Sequence, residues 1–202
     1  MSSLKIKLYF SPLGILLHYA TKLCSLLGQK CIVYGYFQDG KYLKKTRIAS
    51  TAIITDRKKL VLSDNVGINH YSRIDASGGV TIGKGCQIGF GCCILSHSSH
   101  ITIRLMGEKY MEYPLEQRIG YIHGLTMIGD YTFIGGGSYI LPGVKIGKGC
   151  IIGVNSVVTK DIPDYSVVAG SPAKIIGDTR KQDAPFMDNE LVQKTYYNKT
   201  VR

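Results

Sequence analysis

Acidic residues are scarce: 14 Asp and Glu stand against 25 Lys and Arg over 202 residues, a net charge of +11. Such an excess raises nucleic acid, an anionic membrane or an anionic ligand as partners. No nucleic-acid motif accompanies the charge, so nucleic acid is not an expected partner. The six cysteines, at 24, 31, 86, 92, 93 and 150, include no C-x-x-C pair and no His/Cys cluster at zinc spacing. That argues against a metal site and against a disulfide framework, and makes a reducing cytoplasm the expected compartment. Long apolar runs are missing as well. Leu13, Leu16, Leu17, Ala20, Leu23 and Leu27 recur at helical spacing, but His18, Thr21, Lys22 and Ser25 interrupt them, leaving a stretch too polar to span a bilayer. Pro12, Gly14 and His18 also break up any signal-peptide core. The expected element is an amphipathic helix, capped by Ser11-Pro12 and stopped by Gly28. It packs on the body of the protein or on a neighbouring subunit, with peripheral contact to a membrane as the alternative.

What the chain does have is a period of six. Leu62, Ile68 and Ile74 open it; Ile82, Ile88 and Ile94 continue after a two-residue slip; Ile128, Ile134, Ile140, Ile146, Ile152 and Val158 resume it after an interruption. Two places before each anchor sits a mostly slim residue: Val66, Ser72, Val80, Cys86, Cys92, Thr126, Thr132, Ser138, Val144, Cys150 and Ser156. Both positions must face one narrow interior. Neither a helix nor a lone half-buried strand has this period, whereas short strands joined by tight corners do. The third residue after an anchor is Asn65, Gly85, Gly91, Gly137, Gly143, Gly149 or Asn155, types that accept a positive φ and therefore mark the corners. Three sides and three corners make a coil of about 18 residues, and the anchors suffice for about four coils. The chain divides into an N-terminal helix with lead-in strands (1–59), the coil (60–177, with a loop at about 96–125) and a polar C-terminal tail (178–202).

The run Ile134-Gly-Gly-Gly-Ser-Tyr-Ile140, with Val158-Thr-Lys-Asp-Ile-Pro163 and Ala169-Gly-Ser-Pro-Ala-Lys174, resembles the left-handed β-helix acyltransferases, which include galactoside, maltose and surface-polysaccharide O-acetyltransferases. The resemblance covers about residues 60 to 180. It implies an all-β fold built on a left-handed parallel β-helix, acetyl-CoA as co-substrate without a metal, and a homotrimer with its active site between subunits. A saccharide is the implied acceptor, with O-acetyl transfer preferred over N-acetyl transfer to an amino sugar; a non-catalytic or carbonic-anhydrase-like scaffold is the reading from another class.

Candidate chemistry gathers where the rhythm fails. Ile94 and Ile128 are separated by 34 residues, not a multiple of six, so part of this polar segment must leave the coil. It opens with Ser96-His97-Ser98-Ser99-His100. In the similar enzymes a histidine near this exit, five residues after an anchor, removes the acceptor's hydroxyl proton, a task suited to imidazole. Here that place is Ser99. His97, third after its anchor, has a plain role as a corner, so His100 is preferred as base and His97 is the alternative. Asp75 is the candidate orienting carboxylate, and Asn69 is the acceptor-pocket candidate by resemblance. For the oxyanion the Gly135-Gly136-Gly137 run offers backbone amides. The resemblance further nominates Gly135, Gly136, Gly153 and Val154 along the pantetheine arm, and Thr159, Lys160, Pro172, Lys174 and Arg180 toward the nucleotide phosphates.

Overall fold

The computed structural model describes residues 11–28 and 30–197. Helix α1 (Gly14–Leu26) leads into a hairpin of β1 (Ile32–Gln38) and β2 (Lys41–Ala49). The helix begins two residues beyond the expected Ser11-Pro12 start, because Ser11 instead closes a turn in which its carbonyl accepts the Gly14 N–H at 2.9 Å. Gly28 does end it, with φ +83 and its N–H donated to the Ser25 carbonyl. Among the described residues no helix is long and apolar enough to cross a membrane.

From Lys41 onward the chain winds through three sheets in rotation. The first turns are β3 (Ile53–Thr55), β4 (Leu60–Leu62), β5 (Gly67–Ile68), β6 (Arg73–Asp75), β7 (Val80–Ile82), β8 (Gln87–Ile88) and β9 (Cys93–Ile94). An excursion follows, with β10 (His97–Ser98), α2 (Thr102–Met106) and β11 (Ile122–His123). The winding then resumes as β12 (Thr126–Ile128), β13 (Phe133–Ile134), β14 (Tyr139–Ile140), β15 (Lys145–Ile146), β16 (Ile151–Ile152), β17 (Val157–Val158) and β18 (Ser166–Gly170). The antiparallel β19 (Ala173–Asp178) closes the last edge, and α3 (Thr179–Asp183) and α4 (Glu190–Thr195) complete the chain.

The first sheet runs β1-β2-β5-β8-β13-β16-β18-β19, the second β17-β14-β9-β6-β3, and the third β15-β12-β7-β4. Apart from the two antiparallel ends, every pairing within these sheets is parallel, with anchors stacked on anchors: Ile48 on Ile68, Ile68 on Ile88, Ile88 on Ile134, Ile134 on Ile152. The winding therefore starts a turn earlier than the anchors from Leu62 suggest, since β2 and β3 already pair in register with the coil below them.

Every anchor from Leu62 to Val158 and every slim partner from Val66 to Ser156 is buried, none more than 4% exposed. Each isoleucine so buried contributes about 1.5–3 kcal/mol relative to solvent exposure, and the stack of them forms one continuous core. The slim polar members satisfy themselves on the next coil: Ser138 donates to the Gly153 carbonyl and Thr132 to that of Gly147, both at 2.8 Å. All seven expected corner residues have φ between 53 and 79. Tyr71, Tyr131 and Tyr165 turn corners in the same conformation, which their residue type did not announce.

Candidate active site

Three ridges of corners run down the coil, and they differ. Between the third and first sheets each turn is short and regular. Between the second and third sheets the chain widens in three successive turns: a 3-10 turn at Arg57–Lys59, a turn at Ser77–Gly79, then the long excursion from Leu95 to Leu125. The two-residue slip after Ile74 and the long gap after Ile94 are thus neighbouring storeys of one irregular corner, because β6 and β9 pair with Ile74 on Ile94.

That stacking sets Asp75 beside His97. The excursion leaves the coil as β10 and returns as β11, an antiparallel pair with His97 opposite His123. His97 is therefore extended, not a left-handed corner, and the reason for preferring His100 does not hold. Asp75 is buried. Its Oδ1 accepts from the Thr55 hydroxyl (3.0 Å) and from the Ser77 N–H (3.1 Å). Its Oδ2, buried and without a hydrogen bond among the described residues, closes on His97 Nδ1 off the line of a hydrogen bond. Ser77 Oγ lies 2.7 Å from the same nitrogen. Burial pushes the Asp75 carboxyl up, but hydrogen bonds from Ser77 and Thr55 and the charge of His97 outweigh it and hold the group below the ordinary carboxylate range. Because this pKa is depressed by folding, the stability it adds is complete above the ordinary carboxylate value and is lost as pH falls through the lowered one. At neutral pH the carboxylate is charged.

A carboxylate beside Nδ1 favours the tautomer with its proton there and its lone pair on Nε2. The side chain is 39% exposed, open to a substrate. One ring face stacks on Tyr121, centroids 5.8 Å apart at 10°. The Arg118 guanidinium lies 5.7 Å from the other partner of that stack, the Tyr121 ring, and 5.5 Å from Tyr110. His123 Nε2 reaches the Ser77 carbonyl at 2.9 Å, and Ser96 donates to the Asp75 carbonyl at 2.6 Å while accepting the Gly78 N–H at 2.7 Å. Gly78 has no room for a side chain: a Cβ would fall 2.3 Å from the Ser96 carbonyl oxygen. Ser77, Tyr121 and His123 thus belong to the site, although sequence reasoning passed over all three. His100, by contrast, is exposed, and its Nδ1 meets only Ser98 Oγ at 2.7 Å among the described contacts.

The other candidates lie elsewhere on the coil. Asn69, Gly135, Gly136, Gly153 and Val154 stack on the corner between the first and second sheets, across a sheet face from His97. The structure does not bring Asn69 to His97; its side-chain amide donates to the Ile88 carbonyl at 3.0 Å. In the glycine run, Gly135 donates its N–H to the Ile152 carbonyl and Gly137 to that of Phe90, both at 2.8 Å, whereas the Gly136 N–H has no backbone partner among the described residues. Gly153 is closed in, its N–H on the Val168 carbonyl, whereas Val154 is 69% exposed. Thr159 and Lys160 are exposed on the ridge that carries His97, two strands further along the second sheet. Pro172 and Lys174 are exposed at the β18–β19 turn. Arg180 is engaged within the chain: its Nε donates to Asp178 at 3.0 Å, holding that carboxyl down to about 2, and its guanidinium lies 4.9 Å from the Tyr165 ring. Among the described residues no group of three His, Cys, Asp or Glu side chains is placed to hold a metal ion.

The coil and its widened corner define a hexapeptide-repeat protein, and known proteins agree. The family model for the bacterial transferase hexapeptide (six repeats) matches residues 126–160. A Staphylococcus aureus protein named "putative acetyltransferase" is 34% identical over 181 residues, covering 79% of this chain and 83% of its own. The chain belongs to the hexapeptide-repeat acetyltransferase family. An Escherichia coli protein named "putative lipopolysaccharide biosynthesis O-acetyl transferase WbbJ" is 34% identical over 59% of this chain and 61% of its own. Serine acetyltransferase 4 of Arabidopsis thaliana is 30% identical over 79% of this chain, which spans only 45% of that protein. Among solved structures, a hexapeptide-repeat acetyltransferase of Vibrio cholerae complexed with acetyl coenzyme A matches at 27% identity and a TM-score of 0.51, over 63% of this chain and 64% of that one. The N-acyltransferase AntD of Bacillus cereus, solved with dTDP-4-amino-4,6-dideoxyglucose and coenzyme A, is 22% identical with a TM-score of 0.53 over 75% and 89%, a likeness of fold alone.

Proposed function

We propose that the protein is an acetyl-CoA-dependent O-acetyltransferase acting on a saccharide hydroxyl, and that His97 is its general base. The observation that carries this reading is the pairing of His97 Nδ1 with the buried Asp75 carboxylate, which leaves Nε2 as the proton acceptor. Nε2 takes the hydroxyl proton as the acceptor oxygen attacks the thioester carbonyl. The resulting oxyanion is met by the Gly136 N–H; the tetrahedral intermediate then collapses, the C–S bond breaks, and CoA leaves as a thiol with the proton from the imidazolium. No covalent enzyme intermediate forms. Asp75 acts as a positioning residue, fixing tautomer and ring plane. Tyr121, stacked on the imidazole, helps hold the ring plane of the base. The acetyl-CoA complex of the Vibrio cholerae relative and the name of the Escherichia coli relative support donor and acceptor class respectively.

The separation of ridges supports a homotrimer, and the family match supports a left-handed coil. His97 stands on one corner and Gly136 and Val154 on another, so one chain alone does not close the site; a threefold assembly lays the base-bearing corner of one subunit against the glycine corner of the next. Lys160 and Lys174 serve the nucleotide phosphates, and Arg180 does so only by giving up Asp178.

The test is an acceptor screen with acetyl-CoA, pairing each hydroxy sugar with its amino counterpart and reading product mass. Acetylation confined to amines would replace this reading with N-acetyl transfer. Asp75→Asn should lower kcat about tenfold to a hundredfold with KM for acetyl-CoA unchanged, as expected for loss of orientation at the base.

A further inference from the structure

Helix α1 lies on the protein with all but Leu17 of its leucines outward. The residues it turns toward β1 are Gly14, His18, Thr21 and Ser25, one to a turn. His18 is buried with Nδ1 2.8 Å from the Tyr34 carbonyl, and the Tyr42 hydroxyl donates to the Gly14 carbonyl at 3.4 Å. Leu13, Leu16, Leu23, Leu26 and Leu27 are 54–76% exposed, and Phe37 and Ile53 extend the apolar surface onto neighbouring strands. Scattered exposed leucines are ordinary; three on one face of a short helix, with one more at each cap, are not.

The charge is concentrated in the same part of the chain: among the described residues up to Leu60, nine Lys and Arg stand against Asp39 and Asp56, while the 142 residues from Val61 onward hold 14 against 12. Lys22 and Arg57 line, with His18, Leu26 and Phe37, a cleft of about 500 Å³ beside α1. We propose that this end of the coil docks on an anionic lipid surface, α1 lying in the headgroup plane with its leucines at the acyl boundary and the flanking cations on lipid phosphates. At 13 residues the helix is about 20 Å long, too short to cross a hydrocarbon core of about 30 Å. A second copy is the poorer occupant, because two such ends would bring like charges together.

The test uses the full chain and vesicles of phosphatidylcholine with about 30% phosphatidylglycerol, compared with pure phosphatidylcholine, in a sedimentation assay. The protein should partition onto the anionic vesicles and largely remain in solution with the neutral ones. Leu16→Glu with Leu23→Glu should cut the partition about tenfold, and Lys22→Glu should cut it about twofold and weaken its salt dependence. These three side chains are on α1, away from the base and the glycine corner, so acetyl transfer to a soluble acceptor should be unchanged in both variants. Absence of binding to anionic vesicles, or binding that the leucine variant retains, overturns the proposal. A leucine variant that binds vesicles normally but shows a smaller assembly by light scattering assigns the face to contact between copies instead.

Discussion

The corner between the third and first sheets and the corner between the second and third are built from the same period, yet they behave in opposite ways. At the former, Asn65, Gly85, Tyr131, Gly149 and Tyr165 turn in the left-handed conformation in five consecutive storeys. Each aspartate there serves the storey beside it: Asp64 accepts the Lys45 N–H, Asp130 that of Lys84, and Asp164 that of Lys148, at 2.7–2.9 Å. These three carboxylates are thus spent on holding one storey to the next. At the latter, two short insertions and one long one widen three storeys. The carboxylate caught among them, Asp75, keeps one oxygen for a histidine from the next storey. The difference teaches that in a solenoid chemistry needs an extra residue more than a special one: a corner that closes on itself satisfies its own polar groups, and a corner that fails to close presents them.

The largest effect that sharpens this contrast is expected from His97→Ala. Removing the general base should lower kcat about 10²- to 10⁴-fold while leaving the thermal unfolding temperature close to that of the parent, because the side chain is part of the widened corner and not of the core. A loss below about tenfold would break the assignment. The regular coil predicts the reverse. Ile140→Ala, at a fully buried anchor, should cost about 2–5 kcal/mol of stability in denaturant unfolding. Its effect on kcat at a temperature where the protein stays folded should be slight. A smaller effect belongs to Lys160→Ala, on the same ridge as the base but in a regular storey. It should raise KM for acetyl-CoA a few-fold, more at low salt than at high, with kcat retained, and an unchanged KM would remove Lys160 from the donor site.

How much of this was legible depends on whether a feature repeats. The anchors, slim partners and corners repeat, so period alone located them, and with the exception of His97 they are buried or left-handed where expected. The Asp75–His97 pair does not repeat. It joins residues one storey apart, and only the stacking of Ile74 on Ile94 makes them neighbours. A signal did exist: the slip after Ile74 and the gap after Ile94 begin 20 residues apart, close to one turn of the coil. Reading the two irregularities as one corner would have found the pair. Tyr121 had no such signal, because it reaches His97 through the return strand of an aperiodic excursion. The tyrosine corners escaped for a different reason. A left-handed conformation disfavours a bulky side chain by about 1 kcal/mol or more, so residue type argued against Tyr71, Tyr131 and Tyr165. Tyr131 and Tyr165 gain contacts that offset it: Tyr131 stacks on Tyr197 at 4.4 Å, and Tyr165 receives Arg180 and Lys148.

The smallest expected effect separates the two histidines of the excursion. His97 and His100 are three residues apart and alike in sequence context, but the turn after β10 gives them different surroundings. His97 faces a buried carboxylate and stacks on an aromatic ring. His100 points to solvent with Ser98 at one nitrogen, while its backbone carbonyl takes the Arg104 guanidinium and holds the first turn of α2. An alanine keeps that carbonyl and loses only an exposed ring. His100→Ala should therefore leave kcat and kcat/KM within about twofold of the parent. A hundredfold loss confined to kcat, with His97→Ala mild, would return the general base to His100 and would mean that the excursion rearranges when an acceptor binds. Measuring both variants with the same acceptor decides between these two arrangements, because each predicts a large effect at one histidine and almost none at the other.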